Sequence, residues 1–595
     1  MKHVKALFEL DTRSLALYRV LLGAVLIADL LFRASEIPTF YADNGVLPRA
    51  SPVAQYLDPF HVSFHLASGA ASVQYALFAV ALLCALAFTF GFRTRLAAFL
   101  SWLLLLSLHN RNFMVLSGSD QLIRLLLFWS IFLPVGASYS LDRALLNARR
   151  ARADDNQPPT AARSFVSVGS AAFILQICCV YLFSAVLKSD ASWWSEGSAL
   201  YYALSIDYLT TPLAKRLLQF PNIVWALSWL SISLEAVAPA LLFVPRVQQR
   251  LRTLIVLVFM LFHLGMLPFL TLGTFPFVSV AAWAALLPSR FWEKRLARAR
   301  RRASTTTIYY DGECGFCRRA LEVVRTFLAI GETRIARAQD EAEIDAEMRR
   351  LNSWIVVTES GERKSKFDAF VHLCRLSPVV RGLAPLLAWR PLMRLGTRLY
   401  EWVARSRAGL GRPAARLRPE RPLLRASVVS NVLASVLLVY VLAWNVGTVT
   451  DNRWGVPEGA RWLGVLLRLD QQWGMFAPYP RKSDGWLVIP ATLASGAEVD
   501  LFRDGAPVSW EKPARVSALF ANAYRQKYME NLLSPHLSGT LLLYGQHLCR
   551  KWNAEHSGGE TLNTFEINYV EELTPPPGEP TAPPRRISVW KHNCF

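Results

Sequence analysis

Apolar residues fall in long blocks along this chain, with most polar residues between them. Runs at 14–33, 72–92, 96–116, 121–137, 165–187, 222–244, 251–271, 274–288 and 427–447 predict nine membrane segments. Crossing the hydrocarbon takes about 20 helical residues, with a range near 17–25; the run at 274–288 is the shortest of the nine. The first run holds Arg19 and Asp29 and lacks a signal-peptide cleavage pattern, so it predicts a retained helix. After 448 the pattern changes. Glu498 to Arg503 alternates and is turned by Asp504-Gly505, which predicts strands and hairpins, and a helical stretch follows near 515–553.

These patterns predict a polytopic α-helical membrane protein of about eight plus one spans. Its parts are a multi-pass block at 1–290, a thioredoxin-like α/β domain at 304–410, a single span at 427–447 and a small α+β module at 449–595. No repeat of 20–50 residues is present, which argues against a solenoid. The Pro-rich stretch 575–584 predicts an extended loop.

Basic residues set the expected orientation. With the N-terminus inside, the inner loops carry Arg93 and Arg95; Arg143, Arg149, Arg150, Arg152 and Arg163; Arg246, Arg250 and Arg252; and a cluster from Arg290 to Arg302. The outer loops carry only Arg49, Arg111, Lys188, Lys215 and Arg216. This alternation predicts a bacterial inner-membrane protein with 289–426 in the cytoplasm and everything after about 448 in the periplasm.

Composition agrees. The chain is 53% hydrophobic and 18% charged, which excludes a disordered or fibrous chain and argues against an ordinary soluble enzyme. Its 19 Trp and 33 Phe suit aromatic belts at two interfaces. The net charge of +21 sits beside the apolar blocks, so positive-inside loops explain it and no nucleic-acid partner is expected. Eight Cys in 595 residues are too few for a disulfide scaffold.

The segment 306–310 is β-branched and aromatic and predicts a strand, Asp311-Gly312-Glu313 a turn, and Cys314-Gly315-Phe316-Cys317 the opening of a helix. A thiol at a helix N-terminus meets free N–H groups and the positive end of the helix dipole, which favours thiolate at Cys314. Arg318 and Arg319 add positive charge, and Cys317 is placed to resolve a mixed disulfide. A zinc half-site and two packed thiols are the other readings. Zinc needs two more ligands, and the nearest candidates, His372 and Cys374, lie far along the chain, so no metal is expected.

Two resemblances enter on these residues. Asp311 through Cys317 resembles the D-x-x-C-x-x-C signature of the DCC family, thiol-disulfide oxidoreductase-like proteins, and Tyr400 to Arg407 resembles that family's closing Y-x-x-x-A-x-x-R pattern. The resemblance implies dithiol chemistry at Cys314, Cys317 and Asp311, with a cytoplasmic thiol reductant or dithiol protein as partner.

Within the membrane block, Asp29, Arg124, Glu235 and His263 lie inside spans. His109, Asn110, Arg111, Asn112, Asp120 and Lys188 gather near outer ends. Intramembrane charge is costly, so such groups pair or line a polar cavity; one outward-opening cavity is the expectation. The stretches Leu15 to Arg19, Gly45 to Arg49, His109 to Asn112, Gly118 to Asp120, Phe183 to Lys188, Trp193 to Gly197 and Phe262-His263 resemble the HTTM domain. That domain is shared with vitamin K-dependent γ-carboxylases. The resemblance implies a quinone-like or lipid-like ligand, with Lys188 at the position of the carboxylase base and His109, Asn110, Asp120 and His263 as candidate binding residues.

Outside, Cys549 and Cys594 are a candidate structural disulfide. Trp473, Met475 and Phe476 are candidates to cover the cavity or meet the interface. The chain is therefore expected to be a thiol–disulfide oxidoreductase coupled to a quinone- or lipid-binding membrane domain. A hydroquinone-driven carboxylase or epoxidase and a non-enzymatic lipid-binding or assembly protein are the alternatives. The hydrocarbon, about 30 Å thick, separates the expected position of Cys314 from that of Lys188, so only a diffusible carrier could link them.

Overall fold

Each of the nine apolar runs forms a helix in the computed structural model, which describes residues 2–51, 59–150, 163–244, 248–537 and 539–595. Arg152 and Arg246, counted among the inner-loop cations, lie outside these residues. The helices of the first block are α1 (Thr12–Ala34), α2 (Ala71–Phe90), α3 (Thr94–Arg111), α4 (Gly118–Ser130), α5 (Leu141–Arg150), α6 (Val168–Leu187), α7 (Pro221–Leu241), α8 (Gln248–Met266) and α9 (Phe275–Ala284). Among the described residues six helices are long and apolar enough to cross a membrane: α1, α2, α6, α7, α8 and the later Val428–Val449.

The runs at 96–116, 121–137 and 274–288 differ from that standard for local reasons. Helix α3 closes on His109-Asn110-Arg111. Helix α4 opens on a Ser117–Asp120 capping box and has 13 residues, about 20 Å of rise. Helix α9 has 10 residues. Most of their residues are buried against neighbouring helices, although Leu96 and Phe99 of α3 and Phe277 of α9 are exposed.

Polar side chains tie each end of the bundle. At one end Ser14 Oγ donates to the Leu287 carbonyl at 2.6 Å. There too the Asp142 carboxylate accepts from the Arg93, Thr94 and Glu420 amides at 3.0 Å each. Arg19 is wholly buried and donates to the carbonyls of Thr89, Val135 and Tyr139. Gly91 ends α2 with φ +71°, and a Cβ there would lie 2.7 Å from the Arg19 guanidinium, so the turn needs glycine on both counts.

Helix α10 (Ser289–Ser304) leaves this end and enters a four-stranded sheet, β1 (Thr307–Tyr310), β2 (Arg334–Arg337), β3 (Ile355–Val357) and β4 (Arg363–Ser365). The order is β2-β1-β3-β4, with β1 and β2 parallel and the other pairs antiparallel. Helices α11 (Gly315–Phe327) and α13 (Lys366–Leu376) cover one face, burying Leu321 and Leu373 on Ile308 and Val356. Helix α12 (Ala342–Leu351) covers the other, with Ile344 and Met348 on Ile355. A long helix, α14 (Arg390–Arg416), packs outside α11 and α13. Helix α11 rests on α5, and Phe327 meets Phe90, so the α11 layer is the one facing the bundle.

After α15 (Val428–Val449) the chain reaches the opposite end of the bundle. There β5 (Ser483–Val488), β6 (Pro490–Leu493), β7 (Glu498–Asp500), β8 (Leu562–Leu573) and β9 (Arg585–Asn593) form one antiparallel sheet. Strand β8 pairs β9 along one edge and is shared by β5 and β6 along the other. Helices α16 (Ala523–Leu532) and α17 (Gly539–Glu555) complete the module, and a Cys549–Cys594 disulfide ties α17 to the end of the sheet. The module docks through Tyr524, whose hydroxyl donates to Asp29 at 2.7 Å, and Arg525, 2.8 Å from Glu36.

Candidate functional site

The dithiol sits where the strand-to-helix switch puts it. Strand β1 ends at Tyr310, Asp311 turns the chain, and Cys314 caps the N-terminus of α11 with its sulfur accepting from the Cys317 amide at 3.2 Å. Cys314 and Cys317 are joined as a disulfide. Asp311 Oδ1 accepts from the Glu313 amide and from Gln339 Nε2, both at 3.1 Å, and Gln339 Oε1 accepts from the Gly312 amide at 3.0 Å. The signature loop is thus held from both sides.

Helix α14 completes the site from far along the chain. Arg407 Nη1 lies 3.9 Å from Cys317 Sγ and 3.8 Å from Asp311 Oδ2. Tyr400, two turns earlier on the same face, takes the Trp354 amide at 3.2 Å and bonds Ser353 Oγ at 3.1 Å. The spacing Tyr400, Ala404, Arg407 is a helical stripe (i, i+4, i+7) that docks α14 on the domain and aims the guanidinium at the dithiol. Cys374, weighed as a zinc ligand, lies in the domain core, where burial pushes its thiol up to about 11. His372 stands on the same helix, α13. Neither joins the Asp311–Cys314–Cys317 group, whose ligand atoms lie within 4.8 Å of one another.

The candidate residues of the membrane block separate into three groups rather than one cavity. His109 and Asp120 belong to a buried network: His109 Nε2 is 3.5 Å from Asp120 Oδ1, Arg33 bridges Asp120 and Asp29, and Arg124 Nη1 is 3.5 Å from His109 Nδ1. Asn110 joins it through Arg468, at 2.5 Å. Arg124 Nε donates to the Arg468 carbonyl at 2.9 Å. This network bonds the bundle to the C-terminal module.

His263 lies elsewhere. It meets the Tyr181 hydroxyl at 2.8 Å, which also accepts from Trp283 Nε1 at 2.8 Å.

Lys188 forms the third group. It caps α6, is buried, and donates from Nζ to Glu235 Oε2 at 2.5 Å and to Ser184 Oγ at 2.7 Å. Trp193 lies under the ammonium at 5.1 Å and donates from its indole to the Phe476 carbonyl at 3.2 Å. Trp229 packs in the same aromatic cluster, and its Nε1 is buried without a partner. The group thus combines a charged pair, two packed indoles and one unpartnered indole nitrogen. A cavity of about 350 Å³ lies apart from it, between Gln121, Trp444, Asn452, Arg461 and Gln472.

Sequence reasoning singled out Lys188, Glu235 and Arg407 without their partners. It did not name Arg33, Arg468, Tyr524 or Gln339 as parts of these clusters. For Arg407 the signal was present, since a seven-residue helical spacing from Tyr400 fixes the face it shares.

Comparison with known families fits both ends of this description. Residues 9–292 match the HTTM domain, and residues 308–413 match the DCC1-like thiol-disulfide oxidoreductase. The chain is a membrane protein that fuses these two domains, with a sheet-containing C-terminal region beyond them. No curated protein and no solved structure matches it.

Proposed function

We propose that the chain is a membrane-anchored thiol–disulfide oxidoreductase acting through Cys314 and Cys317. The observation that carries this is the dithiol at the N-terminus of α11 with Arg407 and Asp311 converging on it. The order of β1 to β4 and their helices, with one parallel pair and an antiparallel hairpin, supports a thioredoxin-like fold for 304–410.

The exchange balances as two thiolate substitutions. In the reduced form the Cys314 thiolate attacks a partner disulfide, forming a mixed disulfide and releasing one partner thiolate. The Cys317 thiolate then attacks Cys314 Sγ, closes the intramolecular disulfide and releases the second partner thiolate. Two electrons pass to the partner, and run backwards the same steps accept two electrons from a reduced dithiol. Helix N–H groups and the Arg407 cation favour the anionic sulfurs.

We also infer that α3, α4 and α9 cross with the six longer helices, giving eight spans plus one in a bacterial inner membrane. In that arrangement the dithiol faces the cytoplasm and the C-terminal module the periplasm. The Lys/Arg asymmetry supports this, as does the segregation of the two soluble parts to opposite ends of the bundle. The Lys188 site would hold a quinone-like ligand, a reading supported by the Lys188–Glu235 pair, the Trp193 ring beside it and the unpartnered indole nitrogen of Trp229. A bound quinone supplies a membrane-soluble acceptor of two electrons and two protons. Lys188 donates to two acceptors, which supports a donor role more than that of the base in a carboxylase.

The direct test is disulfide exchange by the purified full-length protein. Wild type should reduce a model disulfide from a thiol pool, and Cys314→Ser should lose that exchange. Unchanged exchange in Cys314→Ser would refute the assignment.

A further inference from the structure

Helix α14 and the segment leading into it carry a large apolar surface that the domain leaves open. Val379, Leu383, Leu386, Trp389, Leu395, Leu399 and Trp402 are each 54–66% exposed. Leu395, Leu399 and Trp402 follow the i, i+4, i+7 spacing of one helix face. Single exposed apolar residues are ordinary, but a continuous set of large ones with two Trp marks a contact surface.

Beside this stripe runs a row of cations. Arg394, Arg398, Arg405 and Arg412 recur at spacings of four and seven and are all exposed. The helix has one acidic residue, Glu401, and Lys366 Nζ takes it at 2.7 Å. An apolar stripe flanked by arginine is the pattern of a helix lying in a lipid interface, with aliphatic and indole groups among acyl chains and guanidinium groups at phosphates.

The position of the helix names the occupant. Helix α14 lies on the α11 side of the sheet, the side that packs on α5 and meets Phe90 at the end of the bundle. Its C-terminal continuation is docked there as well, with the Leu417 carbonyl on Arg149 Nη2 at 3.0 Å and Glu420 Oε2 on the Arg95 amide at 3.0 Å. The exposed stripe is therefore carried on the layer of the domain that faces the end of the bundle, while α12 covers the opposite face of the sheet.

We propose that this surface docks the dithiol domain onto anionic phospholipid of its own membrane leaflet. The inference rests on membrane insertion and not on redox activity. Because α14 also carries Arg407, the docked helix is the one that presents the cation to the dithiol.

The test places a photoreactive residue on the stripe of the full-length protein in lipid nanodiscs. Leu399→p-benzoylphenylalanine should give lipid adducts in phosphatidylglycerol discs at least five times the yield of Glu343→p-benzoylphenylalanine on α12, and at least twofold more than in phosphatidylcholine discs. Amide exchange of the unsubstituted protein over 379–402 should slow at least threefold on going from phosphatidylcholine to phosphatidylglycerol. Equal yields at the two positions would overturn the proposal, as would adducts joining two copies of the chain, or yields and exchange that ignore lipid charge. Loss of exchange with the model disulfide in Cys314→Ser would leave these readouts unchanged, so the two proposals fail separately.

Discussion

Arg407 stands 90 residues beyond Cys317 in the chain, and its guanidinium lies 3.9 Å from that sulfur. The contact is half open to solvent, so its strength belongs with surface pairs, about 0.2–1 kcal/mol. Replacing Arg407 with Leu should lower the alkylation rate of the reduced dithiol at neutral pH by about two- to fivefold. The pH midpoint of alkylation should move upward, and Arg407→Lys should recover part of the rate. Iodoacetamide kinetics followed by mass spectrometry measure this, and an unmoved pH profile would assign Arg407 to packing alone.

Lys188 is buried at the end of α6 and pairs with the partly buried Glu235. Removing one partner strands the other as an uncompensated charge, a loss of about 3–5 kcal/mol. Lys188→Met should therefore lower thermal stability sharply in detergent, and Lys188→Met with Glu235→Gln should restore much of it. Equal melting for wild type and Lys188→Met would show that the pair is not buried as described.

The C-terminal sheet should be pH sensitive through Asp484. Burial raises its carboxyl to about 6, and its Oδ1 has no partner. An unfolded Asp titrates near 3.9, so the folded state holds the proton more tightly. The contribution is then fully present below about pH 4 and is lost as pH rises through about 6, a loss of roughly 3 kcal/mol. Amide exchange in β5 and β8 should quicken over that window and level off above it. Asp484→Asn should abolish the dependence.

Alkylation under denaturing conditions without reductant should block four cysteines, Cys84, Cys178, Cys179 and Cys374, if both disulfides are intact. Protein taken from a reducing cytoplasm should show six, because Cys314 and Cys317 open while Cys549–Cys594 does not. Intact mass distinguishes these counts, and blocking of Cys549 or Cys594 would contradict the disulfide between them.

Much of this was legible along the chain. Apolar runs gave helices at all nine positions, and the change from a β-branched strand to a helix at Cys314 located the dithiol. Legibility stopped where a partner arrives from another helix. Periodicity gives a residue's face but not which neighbour that face meets, so Glu235 was visible as an intramembrane acid but not as the partner of Lys188, 47 residues away. The single cavity expected from His109, Asp120, Lys188 and His263 divides for the same reason. These residues share a depth or a helix face, yet Arg33, Glu235 and Tyr181 draw them into separate contacts. The lengths of α3, α4 and α9 were hidden by apolar residues that continue past the helix ends into buried turns.

The central claim is that the dithiol and the C-terminal sheet occupy opposite sides of one membrane. Labelling intact cells with a membrane-impermeant maleimide tests it, using Gly496→Cys in the exposed β6–β7 turn as the outer marker. The account predicts reaction at position 496 in intact cells and at Cys314 and Cys317 only after permeabilisation. Reaction at the 314–317 pair from outside intact cells would contradict it.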